Sequence, residues 1–343
     1  MKVLVTVLNY KGWQDTIKCV ESLKRQTYDD FQIYLIENHS QDESEKKLKP
    51  FVQGDKQIIF DVQPTNTGFT GGVNIGIRYA IDHDFDAVAL FNNDAQADKN
   101  WLKNLVSAMK KTDASVVTGL LLSENGKTID DAGDVYTMWG VPELRAENQP
   151  ADEAPESGYV FGATGGATLY KTELLRKIGL FDETFFAYNE DVDISWRTQL
   201  AGHKIYYEKS ALAYHKHSAT SSKIPGFTTT QVFQNLPLVY WKNVPARLLW
   251  PIGWRFCLAY NMFFVWKISQ GGFVPAIKGI WRSWKLLPHA LRERRRIQRN
   301  KTIEIRYLKS IMPPHLPDKN VKRIKKLFGI RHQSDTQPTD RVI

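Results

Sequence analysis

The first 120 residues alternate short apolar runs with amphipathic stretches, and this alternation constrains the fold more than any other feature of the chain. The apolar runs predict strands at Val3–Leu8, Phe31–Glu37, Ile58–Val62 and Ala87–Phe91. The intervening stretches, at residues 15–25, 42–48, 72–81 and 98–110, predict helices. Strands that alternate with helices of this length favour an α/β fold with a parallel sheet covered on both faces.

The amino-acid composition changes after about Ser222, where prolines and aromatic residues become frequent and arginines follow. We therefore predict a first domain at residues 1–222 and a second, helical region at residues 223–343. Within the first domain, the stretch from Ser123 to Gly158 is rich in Asp, Glu, Gly and Pro and is expected to be an excursion or long loop. The two cysteines, Cys19 and Cys257, offer no disulfide framework, which is typical of a reducing compartment.

Positive charge is concentrated in the C-terminal part of the chain. Residues 274–343 contain 18 Lys and Arg against 5 Asp and Glu, whereas the whole chain has a net charge of +9. Six of the ten tryptophans also lie beyond residue 240. Tryptophan combined with arginine is typical of membrane interfaces and much less so of a nucleic-acid-binding tail. We predict an anionic membrane surface as partner and no nucleic acid, with the protein cytoplasmic and peripheral on the inner face of the plasma membrane.

One segment of this tail has the pattern of a helix that lies in a membrane interface. Trp281, Trp284, Leu287 and Leu291 share one predicted helical face. The basic residues of the neighbouring face are Arg282, Lys285, His289, Arg292 and Arg296. The alternative is a soluble helical region that packs on the first domain or on a second copy of the chain. The apolar stretch at residues 250–266 is shorter than the roughly 20 residues that a spanning helix needs.

Polar or glycine-containing segments follow each predicted strand: NYKG, ENHSQD, NTGFTGG and NNDA. Ligands of parallel α/β proteins bind at the carboxyl ends of the strands, so these four segments are expected to meet at one site. The glycines of NTGFTGGVNIG do not match the dinucleotide fingerprint, which disfavours a hydride-transfer enzyme. Asp94, beside two asparagines, is a candidate ligand for Mg²⁺ or Mn²⁺. Alternatively, Asp94 caps the helix that follows.

The segment FFAYNEDVDISWR, residues 185–197, places three carboxylates among aromatic side chains. Apolar neighbours make negative charge costly, so this mixture indicates a pocket in which a carboxylate has a chemical role. Asp193 and Arg197 are four residues apart and are expected to pair on one helical face, which leaves Asp191 available as a general base. Alternatively, Asp191 only caps the helix.

The segments NYKGW, IENHSQDES, NTGFTGGVNIG, FNNDA, GLFDETFFAYNEDVDISWR and YHKHS resemble, in order and spacing, those of family 2 glycosyltransferases. Within that family the sequence is most similar to bacterial rhamnosyltransferase-like enzymes of surface-polysaccharide assembly, and the likeness covers about residues 1–222. The resemblance implies a GT-A, Rossmann-like domain with a mixed, mainly parallel sheet, followed by a helical membrane-associating region.

The resemblance also implies inverting transfer of a sugar that depends on a divalent cation. The donor would be dTDP-rhamnose or else a UDP-hexose. The acceptor would be a hydroxyl of a lipid-linked glycan or of a growing cell-surface polysaccharide. Contacts between copies of the C-terminal region would be one route to a homo-oligomer.

Individual residues acquire roles from the same resemblance. Asp191 corresponds to the general base, and Asp94 and His215 correspond to metal or diphosphate ligands, with His217 an alternative to His215. The residues expected to bind the donor are Asn9, Tyr10, Glu37, Asn38, Ser40, Asn66, Gly72, Asn74, Asn93 and Asp94. The residues expected on the acceptor side are Glu190, Trp196 and Arg197.

Three positions depart from the family's usual pattern. Glu37 stands where aspartate is usual, Lys11 replaces a common asparagine, and the metal element Asn92-Asn93-Asp94 has a single carboxylate. One carboxylate in place of two or three predicts weak metal binding without nucleotide. Two other classes of protein stay open. One is a non-catalytic glycan-assembly scaffold with this fold. The other is a basic nucleic-acid-binding protein, although the basic tail contains no recognised nucleic-acid-binding motif.

Overall fold

The computed structural model describes residues 1–216, 224–317 and 320–321 of the chain. The first four strands of the sheet are parallel, as the alternating pattern predicts. Their spatial order is β3-β2-β1-β4. These strands are β1 (Val3–Asn9), β2 (Phe31–Glu37), β3 (Ile58–Val62) and β4 (Ala87–Asn92). The helices that accompany them are α1 (Trp13–Lys24), α2 (Ser44–Val52), α3 (Gly68–Asp82) and α4 (Trp101–Lys111). The predicted boundary at residue 222 and the alternative ligand His217 lie outside the described residues.

Both faces of this half of the sheet are buried, which is why its strands read as nearly continuous apolar runs. In β1, Val3, Val5 and Val7 face α1 and α4, whereas Leu4 belongs to the cluster that α3 covers on the opposite face. All four side chains are fully buried. Successive residues of β1 point to opposite faces of the sheet, and because both faces are covered, these four are all apolar.

The sheet continues beyond β4 with strands of both directions. β11 (Ala167–Lys171) is antiparallel to both β4 and β6 (Ala114–Ser123), and β6 runs parallel to β12 (Lys204–His215). Two short strands, β5 (Ala95–Ala97) and β10 (Gly158–Val160), pair with β12. The predicted mixed, mainly parallel sheet is confirmed.

The stretch between β6 and β10 is a folded excursion rather than a long loop. It contains β7 (Ile129–Asp131), which pairs with β6, and a separate two-stranded sheet of β8 (Asp134–Tyr136) and β9 (Pro142–Leu144). A short 3₁₀ helix, Ala151–Glu153, follows. Each strand has three residues, which is too short for period-two patterning to be read from the sequence.

The remaining described chain is helical, as predicted for the region after residue 222. Its helices are α7 (Phe227–Asn243), α8 (Ala246–Ser269), α9 (Phe273–Arg299) and α10 (Ile305–Ile311), preceded in the chain by α5 (Thr172–Ile178) and α6 (Glu190–Leu200). One hydrophobic cluster joins Trp196 of α6 to Val239 of α7, Ile252 of α8 and Ala290 of α9. The C-terminal helices therefore share a core with α6 instead of forming an appended unit.

Helix α8 is longer than the apolar stretch that was expected to fall short of a membrane span. It has 24 residues, and by length and composition it is the one described helix able to cross a membrane, with a mean hydropathy of 1.2 over its most apolar window. Core helices of soluble proteins pass the same test. The length limit expected from sequence was therefore wrong for this segment.

Close packing between α3 and β1 depends on glycine at position 76. A Cβ added there would lie 2.6 Å from Thr6 Cγ2, and Thr6 is fully buried and β-branched. We predict that Gly76→Ala lowers the free energy of unfolding by up to about 2 kcal/mol, because overpacking costs about 1–3 kcal/mol and the gain in helix propensity returns only about 1 kcal/mol. Urea denaturation measures the effect. The control is Gly158→Ala, where an added Cβ meets nothing within 4 Å; equal losses in both variants would contradict the packing role.

Candidate active site

A cavity of about 690 Å³ lies at the carboxyl ends of β1, β2 and β4, where the polar segments after the strands were expected to meet. Its walls combine amides and carboxylates with aromatic side chains from the 185–189 loop and from the start of α7. The predicted site residues that line it are Tyr10, Asn38, Asn66, Asn93, Asp94, Glu190, Asp191 and His215. These eight residues come from distant parts of the chain, so the structure brings donor-side, metal-side and acceptor-side candidates to one place.

Three residues expected to bind the donor lie behind the cavity wall and support its loops. Glu37 accepts hydrogen bonds from the backbone amides of His39 and Ser40 at 3.0 and 2.9 Å. Ser40 Oγ in turn accepts from Asn9 Nδ2 at 3.3 Å and from the Lys11 amide at 2.9 Å. Glu37, Ser40 and Asn9 are nearly inaccessible, so the donor-binding assignment of these three is corrected to loop support.

Gly72 and Asn74 were also expected at the donor, and both are used elsewhere. A Cβ on Gly72 would overlap Leu8 of β1, so this glycine allows α3 to approach the sheet. Asn74 donates to the Phe181 carbonyl at 2.8 Å and accepts from the Phe181 amide at 3.0 Å. Asn74 thereby ties α3 to the segment that precedes the acidic loop, and neither residue is among those that line the cavity.

Trp196 and Arg197 do not face the acceptor side, and that expectation is corrected. Trp196 is fully buried and makes edge-to-face contacts with Tyr136 and Phe161, at ring-centroid distances of 4.9 and 5.0 Å. Arg197 Nε donates to Asp193 Oδ2 at 2.9 Å, which confirms the predicted pair. The rest of its guanidinium donates to backbone carbonyls at residues 178–180.

The loop that leads into α6 has a strained backbone that other elements hold in place. Phe186, Tyr188 and Asn189 have positive φ angles of 62°, 69° and 65°. Such conformations cost about 1–3 kcal/mol each and persist only when their surroundings impose them. Asn235 of α7 donates to the carbonyls of residues 185, 187 and 188, and Gln231 donates to the carbonyls of 185 and 187. Helix α7 therefore fixes the loop that delivers the carboxylates.

Asp191 lies in the first turn of α6, at the cavity wall. Its Oδ1 accepts a hydrogen bond from the Val192 amide at 2.8 Å, and the residue at the helix N-cap is Asn189, so Asp191 is not the N-cap. Burial raises the pKa of Asp191 above its ordinary value. Burial, together with the charge of Asp191, raises the pKa of Glu190 well above the usual range. Raised proton affinity at a cavity wall suits a carboxylate that accepts a proton from a substrate.

Sequence reasoning missed a second group of carboxylates, in the stretch from Ser123 to Gly158 that was expected to be an excursion or long loop. Asp134 is buried and lines the cavity, and burial followed by the charge of Asp131 raises its pKa well above the usual range. Asp131 is 3% exposed, and neither of its carboxylate oxygens has a hydrogen-bond partner among the described residues. Burial raises the pKa of Asp131 to about 8. The segment IDDAGD could have indicated this group from the sequence, because it places three carboxylates within five positions before an apolar pair.

His215 connects the cavity wall to Asp130 of this excursion. Its Nδ1 lies 2.6 Å from Asp130 Oδ2, and its Nε2 lies 3.0 Å from Asp94 Oδ1. Burial alone would lower the pKa of His215, but the hydrogen bonds to Asp130 and Asp94 outweigh it and raise the pKa to about 9. In this arrangement a protonated imidazole bridges two carboxylates.

The residues around Asp94 fit a hard divalent cation that arrives with a phosphate ligand. Mg²⁺ is typically held by one or two carboxylates plus substrate phosphates and water. Asp94 supplies a carboxylate at the cavity, and Asn93 adds an amide beside it. Within residues 1–216 and 224–317, no group of three or more His, Cys, Asp or Glu side chains is arranged to hold a metal. The cation's other ligands would therefore have to come from the nucleotide.

A buried ionic cluster joins α6 to the C-terminal helices. Lys242 of α7 donates to Asp182 Oδ2 at 2.6 Å and to Asp193 Oδ2 at 2.9 Å, and the lysine and Asp193 are both inaccessible. His289 of α9 lies 2.9 Å from Asp182, so the expected placement of His289 on a membrane-facing basic surface is wrong. Burial opposes ionisation of Asp182 and Asp193, yet Lys242 outweighs it and lowers the pKa of both carboxyls.

Together, the α/β fold and the polar cavity at the carboxyl ends of its parallel strands place the protein in the class of α/β proteins that bind ligands at this edge of the sheet. The chain belongs to glycosyl transferase family 2, whose model matches residues 2–179.

Curated relatives and solved structures are distant. A low-salt glycan biosynthesis hexosyltransferase of Haloferax volcanii is 22% identical over 204 residues, which are 57% of this chain and 61% of that protein. A poly-beta-1,6-N-acetyl-D-glucosamine synthase of Staphylococcus aureus is 25% identical over 59% of this chain and 46% of its own length. The chain thus spans about half to three fifths of these relatives.

Two solved structures share the fold at low identity. The 1–349 fragment of TarS from S. aureus has a TM-score of 0.52 at 16% identity and covers 88% of this chain and 89% of that one. A mannosyltransferase from Pyrobaculum calidifontis, solved with GDP-Man and Mn²⁺, has a TM-score of 0.53 at 12% identity and covers 87% and 86%. The likeness confirms the predicted GT-A fold.

The ionic cluster predicts a specific pH dependence of stability. Because Lys242 lowers the pKa of Asp182 and Asp193, its stabilisation is present above the unfolded carboxyl pKa of about 4 and is lost as the pH falls through the folded values. We expect Lys242→Met to lower the free energy of unfolding by about 3–5 kcal/mol at pH 7, because the buried carboxylates of Asp182 and Asp193 lose their lysine partner. The difference in the free energy of unfolding between wild type and variant should become smaller below about pH 4.

Urea denaturation across pH measures both effects. The matched control is Lys204→Met, which breaks an exposed, solvent-screened pair with Asp113 and should leave the free energy of unfolding nearly unchanged at any pH. A Lys242→Met deficit that stays constant between pH 7 and pH 3 would contradict the proposed source of the stabilisation.

Proposed function

We propose that this protein is an inverting glycosyltransferase that moves a sugar from a nucleotide diphosphate to an acceptor hydroxyl. The observation that carries the proposal is the position of Asp191, a carboxylate of raised pKa at the wall of a cavity that also contains Asp94. A proton acceptor and a site for a diphosphate thus share one cavity in a chain of glycosyl transferase family 2.

The donor side is built by the segments after the first four strands. Tyr10 and Asn66 offer an aromatic ring and an amide for a nucleoside, and Asn93 and Asp94 line the same cavity, where the diphosphate would be held. Asn38 also lines the cavity, but its side-chain amide supports the loop, since Nδ2 donates to the Gly68 carbonyl at 3.0 Å and Oδ1 accepts from the Thr67 amide at 3.1 Å. A divalent cation bound between Asp94 and the diphosphate would neutralise the charge that develops on the leaving group.

The acceptor side is built by the 185–189 loop, α6 and α7. Phe186, Tyr188 and Phe227 form an aromatic wall beside Asp191, with ring-centroid distances of 6.2 Å from Phe227 to each of the other two. The acceptor oxygen would form a bond to the anomeric carbon while Asp191 takes its proton, and the electron pair of the broken bond would leave with the diphosphate. Attack from the side opposite the leaving group inverts the anomeric centre.

The donor sugar is the finer part of the proposal. Motif likeness favours dTDP-rhamnose, whereas the relatives include a hexosyltransferase and a poly-beta-1,6-N-acetyl-D-glucosamine synthase, which favours a UDP-hexose as the alternative. We propose a hydroxyl of a lipid-linked or growing cell-surface glycan as acceptor. A thermal-shift screen of nucleotide sugars with Mg²⁺ or Mn²⁺ identifies the donor, because a bound ligand stabilises the folded state by mass action. A non-catalytic scaffold would bind the donor but release no nucleotide.

Removal of the proposed base should separate binding from turnover. Asp191→Asn keeps the side-chain size and the oxygen that accepts from Val192 but cannot take a proton. We expect this variant to bind the donor normally and to lose about 10² to 10⁴ in transfer rate, measured as nucleotide release with a membrane extract as acceptor source. The matched variant is Glu190→Gln, which should keep much of the turnover. Near wild-type turnover in Asp191→Asn together with an inactive Glu190→Gln would assign the base to Glu190.

Removal of the proposed cation ligand should weaken the donor complex. In Asp94→Ala, the part of the donor-induced thermal shift that depends on Mg²⁺ or Mn²⁺ should disappear, because the cation loses its protein carboxylate. EDTA should have the same effect on the wild type. Asp55→Ala, which removes a surface carboxylate paired with Lys24, is the control and should keep the full cation-dependent shift. An unchanged shift in Asp94→Ala would exclude this role.

A further inference from the structure

Exposed apolar side chains are concentrated on the C-terminal helices. Of the fifteen large hydrophobic side chains exposed in the described residues, twelve lie between Trp241 and Leu291. On α9 the series Val274, Ile277, Trp281, Trp284 and Leu291 follows helical spacing, with exposures of 39% to 71%. The series on α8 is Trp250, Trp254, Leu258, Val265 and Ile268, with exposures of 39% to 80%. Each helix thus carries an apolar stripe that the described protein leaves uncovered.

The opposite face of α8 is attached to the protein along most of its length. Leu248, Ile252, Phe256 and Ala259, at intervals of three or four residues, are buried in the core cluster that α7 and α9 share. Further along, Tyr260 Oη donates to the Phe233 carbonyl at 2.8 Å. A helix with one face packed on the protein lies along its surface, which fits insertion in the plane of an interface better than a membrane span.

The charges around the stripes are nearly all positive. From Arg247 to Arg299 the chain contains eleven Lys and Arg against one acidic residue, Glu293. Lys285 lies 3.6 Å from the Trp281 ring centroid, so charge and apolar surface are adjacent. This combination complements an anionic lipid surface, whereas a second copy of the chain would bring the same positive charge against it.

The stripe of α9 begins beside residues that line the cavity, one of which, Ile224, is also exposed at the protein surface. Pro275 packs on Gly226, where an added Cβ would lie 2.6 Å from Pro275 Cγ, and its carbonyl accepts from Thr230 Oγ1 at 3.2 Å. Ile224 and Phe227, on either side of Gly226, line the cavity. The exposed Phe273 and Val274 are one and two residues from Pro275. Apolar surface therefore extends from α9 to the wall of the active site.

We propose that the exposed apolar stripes of α8 and α9, with the basic residues around them, bind the surface of an anionic bilayer, with both helices lying in the membrane plane. This membrane-binding surface, the seat, would place the cavity opening at the lipid headgroups. An acceptor carried by a lipid would then reach Asp191 without leaving the membrane. The seat goes beyond the proposed function, because binding to lipid requires no transfer chemistry and is measured without donor or acceptor.

Co-sedimentation with vesicles tests the seat. The full chain should bind phosphatidylcholine vesicles containing phosphatidylglycerol, and bind pure phosphatidylcholine much more weakly. Trp281→Ser/Trp284→Ser and, separately, Lys278→Glu/Arg282→Glu should each lower the affinity about ten-fold or more. The matched controls are Tyr159→Ser, an exposed aromatic in β10, and Lys110→Glu/Lys111→Glu on α4, which should leave the affinity unchanged. Circular dichroism confirms that each variant is folded.

The orientation of the cavity is tested with a fluorophore attached at Ile224→Cys in a Cys257→Ser background. Brominated lipids in the vesicles should quench this label and should not quench the same label at Tyr159→Cys. Absence of quenching at position 224 with normal vesicle binding would overturn the orientation.

Two further results would overturn the seat itself. One is retention on vesicles after alkaline carbonate, which would indicate a spanning α8. The other is a light-scattering mass of a dimer that Trp281→Ser/Trp284→Ser converts to a monomer, with no vesicle binding by the wild type.

Discussion

The position of the active-site carboxylates depends on neutralising two buried negative charges. Asp182 and Asp193 flank the 185–189 loop, and Lys242 lies between them with both ion-pair distances below 3 Å. An ionised carboxylate without a partner would be costly in this interior, so the loop and the first turn of α6 hold their place only while α7 is docked. A fragment that ends near residue 222 would lose Lys242, Gln231 and Asn235 together. The region that sequence analysis separated from the first domain therefore holds the loop and the helix turn that carry the carboxylates of the candidate site.

The docking of α7 against the 185–189 loop also explains how this loop can keep a strained backbone. Gln231 and Asn235, about one turn apart on α7, donate to carbonyls of the loop, and the backbone amides of Phe69 and Thr70 donate to the Phe186 carbonyl from the other side. The two sets of hydrogen bonds over-determine the backbone, which lets Phe186, Tyr188 and Asn189 adopt positive φ angles. Helices α3 and α7 thereby hold the same segment, which leads to Asp191 in the first turn of α6.

Which residues line the cavity could be predicted where the position of a residue in the chain decides it, and could not be predicted where the direction of the side chain decides it. Tyr10, Asn38, Asn66 and Asp94 follow strands of the parallel sheet, and topology alone brings such positions to one edge. Asn9, Glu37 and Ser40 occupy the same edge, yet their side chains point back to bond the loops, which no spacing rule distinguishes from pointing forward. Gln231, Gln234 and Asn235 were overlooked, although three amides on one face of an apolar helix are a readable sign of buried carbonyl acceptors.

The sequence by itself determined the alternating α/β order and the pairing of Asp193 with Arg197, because these depend on periodicity and on contacts four residues apart. The mixed sheet of the GT-A fold was implied only by the resemblance of the motifs to family 2 glycosyltransferases. Tertiary structure alone decided that Asp134 and Asp130 join the site, that Trp196 is core, and that the C-terminal helices hold the catalytic loop. Those outcomes depend on contacts between residues 40 to more than 100 positions apart. Such contacts are selected by packing and by the need to pair buried charge, and neither leaves a local periodic trace in the chain.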